Sequence, residues 1–168
     1  MKKALCFSWL VVAILVVIGC AYNPPIYNAA RDEAGGTIGT ANKATLEIPF
    51  DEAWQRTIKA LYDTGYSIKN SDKSSGIITT DKRTVRLNET QVDCGNIWGI
   101  PYAKDTRTTT TVFFSALLQR SVGKTEIIIN SQIEGLFNAT AVSGTKQLSC
   151  VSLGGIEKDL IERVKQSK

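Results

Sequence analysis

The pattern of apolar and polar residues predicts strands along most of the chain after position 43. Residues 44–49 alternate, with Leu46 and Ile48 on one side of the predicted strand. Residues 125–137 alternate over a greater length, and the run at 108–118 is rich in β-branched and aromatic residues. Because a glycine-containing turn separates these two runs, we expect a long antiparallel hairpin with one solvated face.

Two other segments repeat apolar residues at the spacing of one helix face. The first follows Asp51, which we expect to cap the helix, and stops at Gly65, which suits the left-handed conformation at a helix end. The second occupies the last part of the chain, where Asp159 and Arg163 are four residues apart and predict an ion pair. The apolar stripe is Trp54, Ile58, Leu61 and Tyr62 in the first helix and Ile156, Leu160, Ile161 and Val164 in the second.

Two shorter strands are expected before the long hairpin, at 66–70 and 77–80, joined by the polar turn 72–76. The segment 89–105 has no periodicity, and we expect it to be irregular. The order of elements is then β-α-β-β-β-β-α, without the regular alternation of strands and helices that a parallel sheet needs. We therefore predict an α+β fold in which an antiparallel sheet carries two helices on one face.

The first twenty residues have the pattern of a bacterial export signal. Lys2 and Lys3 precede an uncharged, mostly apolar run that ends at Gly19, directly before Cys20. This arrangement resembles the lipobox of bacterial lipoproteins, which implies cleavage before Cys20, a diacylglycerol on its sulfur and an acyl chain on its new amino group. The alternative is a signal-anchor helix, but the run of 16 residues spans about 24 Å, short of a hydrocarbon core of about 30 Å.

Cys20 is thus the predicted lipid attachment site, and it divides the chain. Residues 1–19 form the signal peptide, residues 20–43 the lipidated N-terminus and a flexible tether, and residues 44–168 a single α+β periplasmic domain. Residue 21 is alanine rather than aspartate, which under the sorting rule of enteric-type lipoproteins implies the outer membrane. We expect palmitate-like chains to hold the domain at its periplasmic face, because two or more acyl chains anchor a protein stably.

Four cysteines are present, and two of them remain for the folded domain. Cys6 leaves with the signal peptide and Cys20 carries the lipid, which leaves Cys94 and Cys150 in an oxidising compartment. We predict a disulfide between them, worth roughly 4 kcal/mol on the chain-entropy model. A redox or metal pair is the alternative, although neither cysteine lies in a C-x-x-C motif and the chain has no histidine.

Composition and charge exclude several classes of function. With 43% hydrophobic and 21% charged residues, the 168 residues suffice for one folded domain rather than a disordered chain. The formal net charge of +4 is too small to imply a nucleic-acid binder. The absence of histidine removes the commonest general base and metal ligand. Since no nucleophile, phosphate-loop or dinucleotide motif is present, we expect no enzymatic activity, no cofactor and no metal.

The insert at 89–105 is the best candidate for a partner-binding surface, because loops on a rigid scaffold carry function. It contains Ile97, Trp98, Ile100 and Tyr102, and tryptophan and tyrosine are typical anchors of protein interfaces. The alternative is that these side chains fold back over the sheet beside the nearby cysteine.

Several short motifs follow one another early in the predicted domain: Phe50-Asp51-Glu52-Ala53-Trp54, Ala60-Leu61, Gly65-Tyr66-Ser67-Ile68, Asp72, and Ser75-Gly76-Ile77-Ile78. The segment from Ile48 to Arg83 that holds them resembles the repeated domain of BamC-type lipoproteins. In that family a strand, a helix ending at glycine and two strands joined by a D-x-x-x-G turn begin a helix-grip fold. The resemblance implies that fold and a place in the bacterial envelope.

These observations predict a lipid-anchored binding or structural lipoprotein of the bacterial cell envelope. The expected partners are the membrane, reached through the lipid, and another envelope protein or assembly; no nucleic acid is expected. The alternative is a carrier of a small apolar ligand or lipid, held in a pocket between helix and sheet.

Overall fold

The computed structural model describes residues 42–139 and 144–167. The predicted signal peptide, Cys6, Cys20 and nearly all of the predicted tether lie outside the described residues. Within those residues the chain forms ten strands, two α-helices and one 3-10 turn. In chain order they are β1 (Lys43–Leu46), α1 (Phe50–Asp63), β2 (Ile68–Asp72), β3 (Ile77–Thr80), β4 (Arg83–Val85), β5 (Val92–Asp93), β6 (Asn96–Ile97), β7 (Ile100–Pro101), the 3-10 turn (Tyr102–Lys104), β8 (Thr108–Ser121), β9 (Lys124–Asn138), β10 (Thr145–Ser152) and α2 (Gly155–Gln166).

Eight of the described strands form one sheet. Its main order is β2-β3-β8-β9-β10-β5. Strand β4 pairs with β8 on the same side as β3, at a different part of β8, and β1 pairs with β9 on the same side as β10, at a different part of β9. Strands β6 and β7 pair with each other. Each of these pairings is antiparallel. The predicted α+β class with an antiparallel sheet and two helices is therefore confirmed.

The centre of the sheet is the hairpin β8–β9, which pairs Thr108 with Phe137 at one end and Ser121 with Lys124 at the other. The helices α1 and α2 pack against each other and against this hairpin. Alternate residues of both strands face the helices and form the sheet side of the core. The largest of them are Val112, Phe114, Leu118, Ile127, Ile129, Ile133 and Phe137, all of which are buried.

Helix α1 matches the predicted helix in extent but not in its N-terminal cap. It begins at Phe50 with Pro49 as the cap residue, and no side chain caps it. Asp51 was expected to be the cap, and this expectation is wrong because Asp51 lies inside the first turn. Its carboxylate instead forms an ion pair with Lys73, with a nitrogen–oxygen distance of 2.9 Å.

The buried face of α1 also differs from the predicted stripe. It includes Ala53, Thr57 and Ala60, whose small side chains let the helix lie close to the sheet. The hydroxyl of Thr57 donates to the carbonyl of Ala53 at 2.8 Å, which satisfies it away from water. Tyr62, a predicted stripe residue, consequently lies on the solvent side and is 58% exposed.

The end of α1 confirms the role predicted for Gly65. This residue has a φ of +82°. Its N–H donates to the carbonyl of Tyr62 at 2.8 Å, and the N–H of Tyr66 donates to the carbonyl of Leu61 at 2.9 Å. This pair of bonds is a Schellman motif, which satisfies the last carbonyls of the helix.

The insert at 89–105 is more regular than predicted. Strand β5 joins the main sheet and pairs Asp93 with Val151 of β10. Strands β6 and β7 form a small hairpin of their own. Strands of two residues carry too little alternation to be recognised, and the partner of β5 is remote in sequence.

The turn after β2 brings the backbone against β8 at Gly76. Gly76 has a φ of +75°, and a Cβ atom there would lie 2.1 Å from the carbonyl oxygen of Leu118. The N–H of Leu118 donates to the carbonyl of Gly76 at 2.8 Å. The close approach of these two backbones therefore requires glycine.

We expect Gly76→Ala to lower the free energy of unfolding by about 3 kcal/mol or more, because it combines a left-handed backbone with a backbone clash. Gly123→Ala is the matched control. Gly123 has a φ of +70°, but nothing lies within 4 Å of its Cβ position, so only the conformational cost of about 1 kcal/mol applies. Urea unfolding curves measure both, and equal midpoints for the two variants would contradict the role of the close approach.

Candidate functional site

The small hairpin β6–β7 carries the most exposed tryptophan of the described domain at its tip. Trp98 and Gly99 form the two-residue turn and have φ values of +51° and +79°. Trp98 is 76% exposed and Ile100 is 54% exposed, whereas Ile97 is half-buried and packs against the core. Among the described residues, Trp98 is the one non-glycine residue with positive φ. A bulky side chain rarely adopts this conformation.

The base of this hairpin is tied to the sheet at several points. The N–H of Tyr102 donates to the carbonyl of Gly95 at 3.0 Å, which closes the segment that contains β6 and β7. The N–H of Leu153 donates to the carbonyl of Gln91 at 3.0 Å, next to the pairing of β5 with β10. The exposed tip therefore projects from a fixed stem.

Tyr102, predicted to bind a partner, is instead a core residue. It is 2% exposed. Its ring meets the ring of Phe137 edge-to-face, with centroids 4.9 Å apart, and Lys146 donates to its hydroxyl at 3.3 Å. The prediction fails because the 3-10 turn directs this ring inward onto β9 while the hairpin before it points outward.

The predicted disulfide joins Cys94 to Cys150. It links the insert to β10 on the helix side of the sheet, where Cys94 is buried. Gly135 of β9 lies beneath it, and a Cβ atom there would be 2.7 Å from the sulfur of Cys150. Gly135 was not among the predicted site residues, although a glycine inside a strand is a known signal of close approach.

An ion pair between Asp105 and Arg107 orders the chain where it leaves the insert. The guanidinium of Arg107 donates to the two carboxylate oxygens at 3.0 and 2.7 Å, and its backbone N–H donates at 2.9 Å. These side-chain and backbone bonds lower the pKa of Asp105 to about 2. The same guanidinium lies 4.7 Å from the ring centroid of Phe137, so the pair also covers that part of the core.

A groove of about 300 Å³ lies between α2 and the edge of the sheet at β4. The ligand pocket of the alternative prediction lies between a helix and the sheet, and this groove is flanked by α2, while it touches α1 only at the cap residue Thr64. Two arginines and one aspartate line it, on either side of an apolar floor. Its lining residues are Thr64, Tyr66, Arg83, Val85, Leu87, Gln91, Phe114, Ile156, Asp159, Leu160 and Arg163.

Glu157 is a buried carboxylate that the sequence analysis did not identify as a site residue. It lies in the first turn of α2 and is 2% exposed. One oxygen accepts from the hydroxyl of Ser131, and the other accepts from the hydroxyl of Ser152 at 2.7 Å. Ser152 in turn accepts from the N–H of Gly154 at 3.1 Å. Because both oxygens are bonded within the protein, Glu157 holds the start of α2 on β9 and β10.

The described part of the chain holds neither a cluster of metal-ligating side chains nor a helix that could span a membrane. Across residues 42–139 and 144–167, no three His, Cys, Asp or Glu side chains come together as a metal site would need. None of the helices in these two ranges has the length and apolar character needed to cross a bilayer.

Comparison with known proteins adds no family assignment. No protein-family model matches the chain, and no curated protein sequence is significantly similar to it.

We expect Asp105→Asn to lower the stability of the domain at pH 7 but not near pH 2. The pKa of Asp105 is lowered from 3.8 to about 2 in the folded state, so its contribution is present above pH 4 and is lost as the pH falls towards 2. Denaturant unfolding of both proteins between pH 2 and pH 7 measures the difference. A stability gap that stayed constant over this range would show that the charge of Asp105 does not matter.

Proposed function

We propose that this protein is a lipid-anchored binding lipoprotein of the bacterial cell envelope, whose described domain presents the β6–β7 hairpin to another envelope protein. The lipid on Cys20 would hold the domain at the periplasmic face of the outer membrane. The observation that carries the binding role is the exposure of Trp98 on a hairpin whose stem is fixed.

The energetic cost of this tip supports the proposal. A tryptophan in the left-handed region costs about 1–3 kcal/mol, and an exposed ring recovers little of that cost by burial. The position of Trp98 therefore does not increase the stability of the folded domain. Burial of Trp98 and Ile100 in a partner's pocket would instead contribute favourable free energy to binding. Tryptophan is among the residues most enriched in interface hot spots.

The stem adds a second argument. The disulfide at Cys94 and the buried ring of Tyr102 stand on either side of the hairpin in the sequence, and both hold it to the sheet. A tip presented in one orientation loses less conformational entropy on binding than a mobile loop does. The arrangement thus suits recognition of a protein surface by a small apolar anchor.

The proposal also includes a helix-grip fold and a kinship with BamC-type lipoproteins. Within the segment from Ile48 to Arg83, the order α1-β2-β3 and the glycine that ends α1 agree with the resemblance, and β1 directly precedes this segment. The packing of α2 against the long hairpin agrees with a sheet that holds a C-terminal helix. These features support the fold assignment, while the function is argued from the hairpin alone.

A second candidate function is carriage of a small ligand. The groove of about 300 Å³ between α2 and β4 favours it, because that volume lies at the lower end of the range for small-molecule sites.

We expect the double substitution Trp98→Ala and Ile100→Ser to weaken partner binding by more than about tenfold while leaving the unfolding midpoint unchanged or higher, because both side chains are exposed. Co-purification of the partner with the unsubstituted and the doubly substituted proteins measures the loss. In otherwise unchanged protein, a benzoylphenylalanine placed at position 98 should give a discrete photocrosslinked adduct in intact cells, which Ile100→Ser diminishes.

The matched control places the same crosslinker at Tyr62, an exposed aromatic residue on α1. The same adduct from both positions, or none from position 98, would contradict the assignment of the hairpin.

We expect Cys20→Ser to move the protein from the membrane fraction to the soluble periplasmic fraction, because two or more acyl chains are needed for stable anchoring. Cys6→Ser is the control and should leave the fractionation unchanged, since Cys6 lies in the predicted signal peptide. Membrane retention of the Cys20→Ser protein would favour a signal anchor instead.

A further inference from the structure

The groove between α2 and β4 combines an apolar floor with cationic rims. Tyr66 and Phe114 meet edge-to-face at its base, with ring centroids 4.9 Å apart. The side chains of Val85 and Ile156 are only partly buried and leave apolar surface open to the groove. A ligand with an apolar body would bury this surface.

Arg83 is held in position at one rim. Its guanidinium donates to the carbonyl of Thr64 and lies 5.3 Å from the ring centroid of Tyr66. Gly65 provides the space, since a Cβ atom there would lie 2.8 Å from the nearest guanidinium nitrogen. A guanidinium has five N–H donors, so most of them remain for a ligand after the bond to Thr64.

Arg163 lines the groove from α2 and forms no ion pair with any residue in the described part of the chain. The predicted pair between Asp159 and Arg163 is therefore absent from the structure. Asp159 is the one carboxylate among the lining residues, against two guanidinium groups. The rims consequently carry an excess of positive charge, which favours an anion.

We propose that this groove binds a small amphipathic carboxylate, with its head group on Arg83 and Arg163 and its apolar body over Tyr66 and Phe114. This inference rests on the second candidate function, carriage of a small ligand, and is independent of the hairpin. A volume of about 300 Å³ holds about ten non-hydrogen atoms at the volume of a water molecule each. The planar fork of arginine pairs with a carboxylate through two parallel hydrogen bonds.

Octanoate, which has ten non-hydrogen atoms, is the probe, and 1-octanol is its uncharged counterpart. Amide chemical shifts of the uniformly nitrogen-15-labelled protein are followed during titration with each. We expect octanoate to give saturable shifts at Gly65 and along α2 at roughly millimolar concentration, and octanol to bind about tenfold more weakly. Arg83→Gln should weaken octanoate binding about tenfold and leave octanol binding unchanged, and Arg163→Gln should weaken it several-fold.

Arg120→Gln is the matched control, since Arg120 lies over the ring of Phe50 at 3.7 Å and does not line the groove. It should leave octanoate binding unchanged. Equal affinity for octanoate and octanol, or full octanoate binding by both Arg83→Gln and Arg163→Gln, would overturn the carboxylate site while the carrier function stood. Absence of saturable shifts with either probe would overturn the carrier function as well.

Discussion

The antiparallel ladder between β8 and β9 is the interaction on which the rest of the described domain depends. These two strands have 14 and 15 residues, and they pair without a register shift from Thr108–Phe137 to Ser121–Lys124. Strands β3 and β4 attach to β8, and strands β1 and β10 attach to β9. Both helices cover the inner face of the same hairpin. A tight turn closes this ladder locally, so it forms a template to which the more distant segments of the chain can pair.

The disulfide extends this template to the insert. It crosses Gly135, where the missing side chain leaves room for the sulfur of Cys150, and so connects the insert to β10 at the point where β10 pairs with β9. Tyr102 and the ion pair of Asp105 with Arg107 secure the exit of the insert on Phe137. Between these fixed points the chain leaves the sheet, and the small hairpin projects Trp98 into solvent. The attachments at both ends of the insert therefore hold the stem in place and leave the hairpin between them outside the sheet, where its tip is exposed.

The two candidate sites use different physical principles. The hairpin offers an exposed apolar anchor with no enclosing walls, which suits the surface of a macromolecule. The groove offers walls, volume and uncompensated guanidinium groups, which suit a small anion with an apolar body. Gln91 lines the groove, and its carbonyl also accepts a hydrogen bond from the N–H of Leu153 beside β5. This residue therefore belongs both to the groove and to the stem that holds the hairpin. A ligand in one site would thus lie close to the elements that hold the other.

Local patterns in the sequence predicted the extents of the helices, the long hairpin and the end of α1 at Gly65. The count of available cysteines predicted the bond between Cys94 and Cys150. These features depend on residues near one another in the chain or on elimination among a few candidates. Only the tertiary structure decided that Tyr102 is buried while Trp98 is exposed, that Tyr62 faces water, that Glu157 is enclosed by two serines, and that Arg83 and Arg163 line one groove. Each of these outcomes depends on elements far apart in the sequence, because the burial of a side chain is determined by what packs against it and not by its own type.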